Sequence, residues 1–215
     1  MYKAVIFDFD YTLGDSSKGI ELSTNYAIEK LGYEQKSQEE IRKTIGLSTK
    51  DTFYALTGET DTERAALFAK YFKEKADVIM VDHTSLYPAT QEVLKKLRSS
   101  EIKVGIVTTK FHYRIDQILS RFSMNDAIDL IVGCEDVKIE KPNPEGLLWA
   151  ISQLNMDKAE VLYVGDSWVD AQTAQNAGVN FAAVLTGANT KEDFENYPHV
   201  CIAEDLSGVY EYMIK

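Results

Sequence analysis

Five short apolar runs, each closed by polar residues or glycine, constrain what this 215-residue chain can fold into more than any other feature. They are Ala4-Val5-Ile6-Phe7, Val104-Gly105-Ile106-Val107, Leu130-Ile131-Val132, Val161-Leu162-Tyr163-Val164 and Phe181-Ala182-Ala183-Val184-Leu185. Their apolarity is nearly continuous, as in strands buried on both faces, and most of them lead into stretches with helical spacing. Such alternation predicts an α/β fold built on a doubly wound parallel sheet covered by helices. Local punctuation agrees. Asn143 is placed to cap a helix with Pro144 at its first position, and Gly178 is placed to end a helix running from about Trp168 to Ala177.

One interval breaks the alternation. From about Ser16 to Val81 the spacing is helical and contains no convincing strand. Ile20, Ala27, Ile28 and Leu31 share one helical face before Gly32, and Ala65, Leu67, Phe68, Phe72 and Ala76 supply another; Phe53 and Tyr54 read as core of the same region. The pattern predicts a helical domain over 16–81 inserted after the first strand, with 1–15 and 82–215 forming the core domain. The two crossings would make a double-stranded hinge.

Composition narrows the function classes. With 34 acidic and 23 basic residues the formal net charge is −11, which repels a polyanion, so no nucleic-acid partner is expected. Cys134 and Cys201 form no Cys-x-x-Cys pair, and neither a zinc site nor a disulfide framework is expected. No apolar run approaches the roughly 18 residues of a membrane span, and the first residues lack a secretory pattern. A cytoplasmic protein without membrane or protein partners is the expectation.

In a parallel α/β sheet, ligands bind beyond the carboxyl ends of the strands. Asp8 and Asp10 follow the first run, Thr108, Thr109 and Lys110 the second, Lys141 the third at some distance, and Asp166 and Asp170 the fourth. The expected product is a carboxylate cluster flanked by lysine and hydroxyls, whose hard oxygen ligands suit Mg2+. Each signal also has a plain structural reading. Asp-x-Asp can be a turn, Lys141 a solvated loop residue, and Asp166 with Asp170 a pair favoured by a helix dipole. His112 is expected at an exposed helix start, and His83 and His199 belong to no partner pattern.

The ordered segments Asp8-Phe9-Asp10-Tyr11-Thr12-Leu13, Val107-Thr108-Thr109-Lys110, Lys141-Pro142-Asn143-Pro144 and Gly165-Asp166-Ser167-Trp168-Val169-Asp170 resemble the four motifs of the haloacid dehalogenase superfamily. Tyr87-Pro88-Ala89-Thr90 is similar to the subgroup of phosphoglycolate phosphatases, β-phosphoglucomutases and bacterial pyrophosphatases. The resemblance implies a Rossmann-like core, a helical cap over 16–81, and a phosphatase acting on a small phosphorylated metabolite. Phosphomutase and pyrophosphatase activities are the enzymatic alternatives, and a non-catalytic phosphate-binding regulator is the other class. By the resemblance, Asp8 is the nucleophile, Asp10 the general acid and base, and Lys141 a fixed positive charge. Thr12, Thr108, Thr109 and Lys110 are implied as phosphate-binding residues. Mg2+ would be held by Asp8, by Asp10 through its backbone carbonyl, and by Asp166, with Asp170 acting through water or by orienting Lys141. In the cap, Arg42 and Gly46 lie in a segment similar to the loop that meets substrate in phosphoglycolate phosphatases, and Lys43 accompanies them. Position 11 is Tyr where the family usually has Gly, which places a bulky side chain beside the substrate's route.

Overall fold

The computed structural model describes residues 2–215. In chain order its elements are β1 (Ala4–Phe7), β2 (Gly14–Asp15), α1 (Ser17–Lys30), α2 (Gln38–Arg42), α3 (Thr49–Thr57), α4 (Thr62–Ile79) and β3 (Ser85–Leu86). These are followed by α5 (Pro88–Ser99), β4 (Lys103–Val107), α6 (His112–Arg121), β5 (Leu130–Val132), α7 (Glu145–Gln153), β6 (Val161–Gly165), α8 (Trp168–Ala177), β7 (Asn180–Val184), α9 (Lys191–Phe194), β8 (Cys201–Ala203) and α10 (Leu206–Met213). They form two compact units, one comprising the described residues up to Gly14 with Leu86–Lys215, the other Asp15–Ser85.

In the first unit a six-stranded sheet has the order β5-β4-β1-β6-β7-β8, and every pairing is parallel. The chain leaves β1, builds β4 and β5 on one side, and returns to lay β6 against the other. β1 is therefore the point where the winding reverses, and a crevice opens beyond its carboxyl end. Phe7 is in register with both Ile106 and Val164, so the residues after β1, β4 and β6 emerge together at one edge. The core beneath them includes Ile6, Val107, Leu147, Tyr163, Phe181 and Phe194.

The sheet differs from expectation at its rim. β8 is a sixth strand that no apolar run announced: it is three residues long and only partly buried, so it needs less apolar content than a central strand. Helix α7 begins at Glu145, one residue later than its proline suggested, although Asn143 Oδ1 does accept the Glu145 N–H at 3.0 Å. β7 runs from Asn180 to Val184 and stops before Leu185.

The second unit is helical. Ala27, Ile28, Phe53, Ala65 and Phe68 make its core, with the Phe53 and Phe68 rings 5.6 Å apart. Ser37, Ser48 and Asp61 cap α2, α3 and α4 through side-chain oxygens. Leu67 does not join this core and is 42% exposed; α4 buries Ala65, Phe68 and Ala76 instead. No helix among the described residues is long and apolar enough to cross a membrane.

Candidate active site

The turn after β1 wraps on one carbonyl. Phe9 C=O accepts from the N–H groups of Thr12, Leu13 and Gly14 at 3.2, 2.9 and 3.1 Å. That tight winding requires a left-handed residue, and Tyr11 takes it at φ +59°. The Thr186 hydroxyl, from the loop after β7, donates to the Tyr11 carbonyl. Tyr11 is itself buried. Thr90, in the first turn of α5, donates to the Leu13 carbonyl at 2.6 Å and holds the turn's far end.

Held this way, β1 delivers two carboxylates to two different lysines. Asp8 Oδ1 accepts from Lys141 Nζ at 2.8 Å, and Asp10 Oδ2 lies 2.9 Å from Lys110 Nζ. Lys141 also donates to Asp170 Oδ1 at 2.7 Å and to the Tyr163 hydroxyl at 3.3 Å. Asp170 is completely buried, and its carboxylate additionally accepts from Tyr163 at 2.9 Å and from the Ser167 hydroxyl at 2.5 Å. Ser167 in turn caps α8, the helix that carries Asp170. Gly165 is required here because a Cβ at that position would collide with Asp170.

Asp166 sits at the end of β6, where Thr12 Oγ1 donates to its Oδ1 at 3.2 Å. A Cβ at Gly187 would collide with the Asp166 carboxylate, so the β7 loop reaches the site only because that residue is glycine. Thr108 is buried, its N–H donates to Val132 C=O at 3.0 Å, and its Oγ1 accepts from the Lys110 N–H at 3.2 Å. Thr109 is half-buried. All these residues belong to one unit. Arg42 and Gly46 belong to the other, where Arg42 is an exposed residue ending α2 and Gly46 adopts φ +99°.

The electrostatics follow from burying like charges together. Oxygens of Asp8, Asp166 and Asp170 lie within 4.8 Å of one another. The Asp8 carboxyl is raised to about 7, by burial first, with Asp170 and Asp10 adding to the rise and Lys141 opposing it. Asp166 is raised well above the usual carboxylate range by burial, then by Asp170 and Asp8. For Lys141, burial acts to lower the pKa, but Asp170 and Asp8 outweigh it and hold the ammonium well above its ordinary value. The site thus keeps one lysine charged while two carboxylates bind protons unusually tightly. A divalent cation relieves that repulsion, and an all-oxygen cluster matches the donor preference of a hard cation. The Asp170 oxygens are already engaged by Lys141, Tyr163 and Ser167, which leaves Asp8 and Asp166 as the better-placed carboxylate ligands. The Asp10 side chain is turned to Lys110 and is not part of the cluster.

Tyr163, Ser167, Thr186 and Gly187 were not expected at the site. Two signals were present in the sequence. A tyrosine inside an apolar strand needs a partner for its hydroxyl, and the fifth apolar run, like the other four, ends in residues with something to offer, Thr186-Gly187.

Residues 5–184 match the family described as "Haloacid dehalogenase-like hydrolase". A pyrophosphatase PpaX of Bacillus velezensis is 30% identical over 195 residues, covering 89% of this chain and 88% of the relative. A phosphoglycolate phosphatase of Cereibacter sphaeroides is 36% identical over 187 residues, covering 85% of each. Among solved structures, one from Bacteroides fragilis described as haloacid dehalogenase-like has a TM-score of 0.95 at 41% identity, covering 97% of this chain and all of that one. A structure from Clostridium acetobutylicum, 23% identical over the whole of this chain and 99% of that one, shares the fold at a TM-score of 0.92.

Proposed function

The chain belongs to the haloacid dehalogenase-like hydrolases, and from that premise we propose that it is a Mg2+-dependent phosphatase that cleaves a small phosphomonoester through an aspartyl-phosphate on Asp8. The observation that carries the reading is the division of labour at the end of β1: Asp8 is locked to a permanently charged lysine, while Asp10 presents a second carboxylate outside the acidic cluster. A second carboxylate at that position is what distinguishes phosphoryl transfer from dehalogenation in the resemblance, because an alkoxide leaving group needs a proton and a halide does not.

In the first step an Asp8 oxygen attacks phosphorus in line, the bond to the ester oxygen breaks, and Asp10 protonates the departing oxygen. Lys141 offsets the negative charge gathered at Asp8, and Asp170 with Tyr163 keeps its ammonium in place. Thr108 and neighbouring backbone N–H groups hold the phosphoryl oxygens, with Thr109 beside them. Thr12 orients Asp166. In the second step Asp10 takes a proton from water, the water oxygen attacks phosphorus, and the Asp8–phosphorus bond breaks to free phosphate. Mg2+, when bound by Asp8, Asp166 and the Asp10 backbone carbonyl, supplies electrophilic stabilisation of the transferring phosphoryl group. By the resemblance the helical unit is a cap, and Arg42, Lys43 and Gly46 are its candidates for recognising the leaving group.

The relatives' names support two substrate classes, a phosphorylated two-carbon acid and pyrophosphate. Release of phosphate from phosphoglycolate, sugar phosphates, nucleotides and pyrophosphate, each with and without Mg2+, is the test. Turnover of at least one small ester that stops on chelation is expected. An enzyme inert towards the whole panel, or indifferent to chelation, would refute the proposal.

A further inference from the structure

Lys110 is paired with Asp10, which lies outside the cluster of Asp8, Asp166 and Asp170. Its backbone is pinned on both sides, the N–H donating to Thr108 Oγ1 at 3.2 Å and the C=O accepting from Cys134 N–H at 3.1 Å. Its side chain is only 4% exposed, so the stem has little freedom and the ammonium occupies a defined place, 2.9 Å from Asp10 Oδ2. If Asp10 protonates the leaving oxygen, one further hydrogen bond separates that oxygen from the carboxylate, and the ammonium lies within roughly 6 Å of it. An ammonium held there serves the group that departs.

Resting on the phosphatase reading, we propose that Lys110 is the specificity-determining countercharge of the leaving-group subsite, and that the preferred substrates carry a second anion within about two bonds of the ester oxygen. A carboxylate or a second phosphate on the departing fragment reaches the ammonium and competes with Asp10 for it. A neutral alcohol gains nothing from that charge, and a cationic amine is repelled. At roughly 6 Å in partly desolvated surroundings, one charge pair corresponds to about 10²-fold in kcat/KM.

The experiment compares kcat/KM for phosphoglycolate, glycerol 3-phosphate and phosphoethanolamine, whose leaving groups are anionic, neutral and cationic. Wild type, Lys110→Met and Lys110→Arg are measured in Mg2+. Wild type should favour phosphoglycolate. Lys110→Met, which keeps the stem and removes the charge, should lose about 10²-fold on phosphoglycolate relative to glycerol 3-phosphate and gain relatively on phosphoethanolamine. Lys110→Arg should retain most of the preference. Equal losses on all three esters in Lys110→Met, or loss of the preference in a folded, active Lys110→Arg, would overturn the assignment while leaving the phosphatase reading intact. A wild type inert towards all three and towards the wider panel would instead bring down that reading, and the assignment with it.

Discussion

Two lysine–aspartate pairs sit two residues apart on the same strand end, Lys141 with Asp8 at 2.8 Å and Lys110 with Asp10 at 2.9 Å, yet their surroundings differ. Lys141 is trapped between Asp8 and Asp170 with the Tyr163 hydroxyl beside it, and the two carboxylates keep it charged against the cost of burial. Lys110 has its backbone fixed and its ammonium directed to Asp10, the carboxylate that the proposed mechanism makes acid and base. A pair built into a buried network is a permanent charge; in the proposed reaction, a pair whose anion acts in every turnover is one that substrate can exchange. Distance alone does not tell the two apart, whereas the second carboxylate on Lys141 marks that pair as part of a network.

The sharpest break in the comparison is at Asp8. Asp8→Asn keeps shape and removes the proposed nucleophile, so turnover of every substrate should fall by at least about 10³-fold, with no phosphoenzyme recovered on acid quench. Near-normal turnover by the purified variant would end the mechanism. Next is Lys141→Met, expected to lower kcat by about 10²- to 10³-fold for anionic, neutral and cationic leaving groups alike. That uniformity contrasts with the selective loss expected at Lys110. A Lys141 variant that sorted substrates by leaving-group charge would erase the distinction between the two pairs.

This distinction shows where the sequence was legible and where it was not. Asp8, Lys141, Asp166 and Asp170 could be picked out because each lies at or near the end of an apolar run, or close to a proline or a helix start, and the parallel sheet carries strand ends to one edge. What could not be read was pairing between distant segments. Nothing local in Thr108-Thr109-Lys110 says that its lysine turns to Asp10, a hundred residues earlier. Nothing in Thr186-Gly187 says that the loop will clamp Tyr11 and pass against Asp166. The edge strand β8 was missed for a related reason, since a half-exposed strand carries little apolar signal of its own.

A smaller effect separates the pairs by pH. Asp8 is raised from 3.8 to about 7, so the folded, metal-free protein keeps a proton that the unfolded chain releases near 3.8. Stability of the metal-free protein should therefore fall as pH climbs from about 4 to about 7 and level off above. Mg2+ competes with that proton, so its affinity should rise by up to about 10-fold per pH unit for each proton displaced, flattening above about 7. Thermal unfolding at pH 5, 6, 7 and 8, with and without Mg2+, measures both trends. Because Lys141 draws the Asp8 pKa down, Lys141→Met should move the window to higher pH. Mg2+ affinity that stays flat between pH 5 and 7 would contradict binding at these carboxylates.

The smallest expected effect tests how the fixed pair is fixed. Tyr163→Phe keeps a ring that is fully buried and 6.3 Å from the Phe181 ring, and removes only the hydroxyl. Lys141 then retains Asp8 and Asp170, so its charge persists; it loses an acceptor at 3.3 Å, and Asp170 loses a donor at 2.9 Å. A hydrogen bond of this kind contributes about 0.5–1.5 kcal/mol, which translates to roughly a 2- to 12-fold fall in kcat if the bond serves mainly to aim Lys141 in the transition state. KM should stay within about twofold, because a group that orients the ammonium has no part in ground-state binding. The loss should be the same for phosphoglycolate and glycerol 3-phosphate, since Tyr163 bears on Lys141 and not on Lys110. An unchanged kcat would mean that two carboxylates alone fix the lysine, and a loss as large as that of Lys141→Met would mean that the hydroxyl itself takes part in the chemistry.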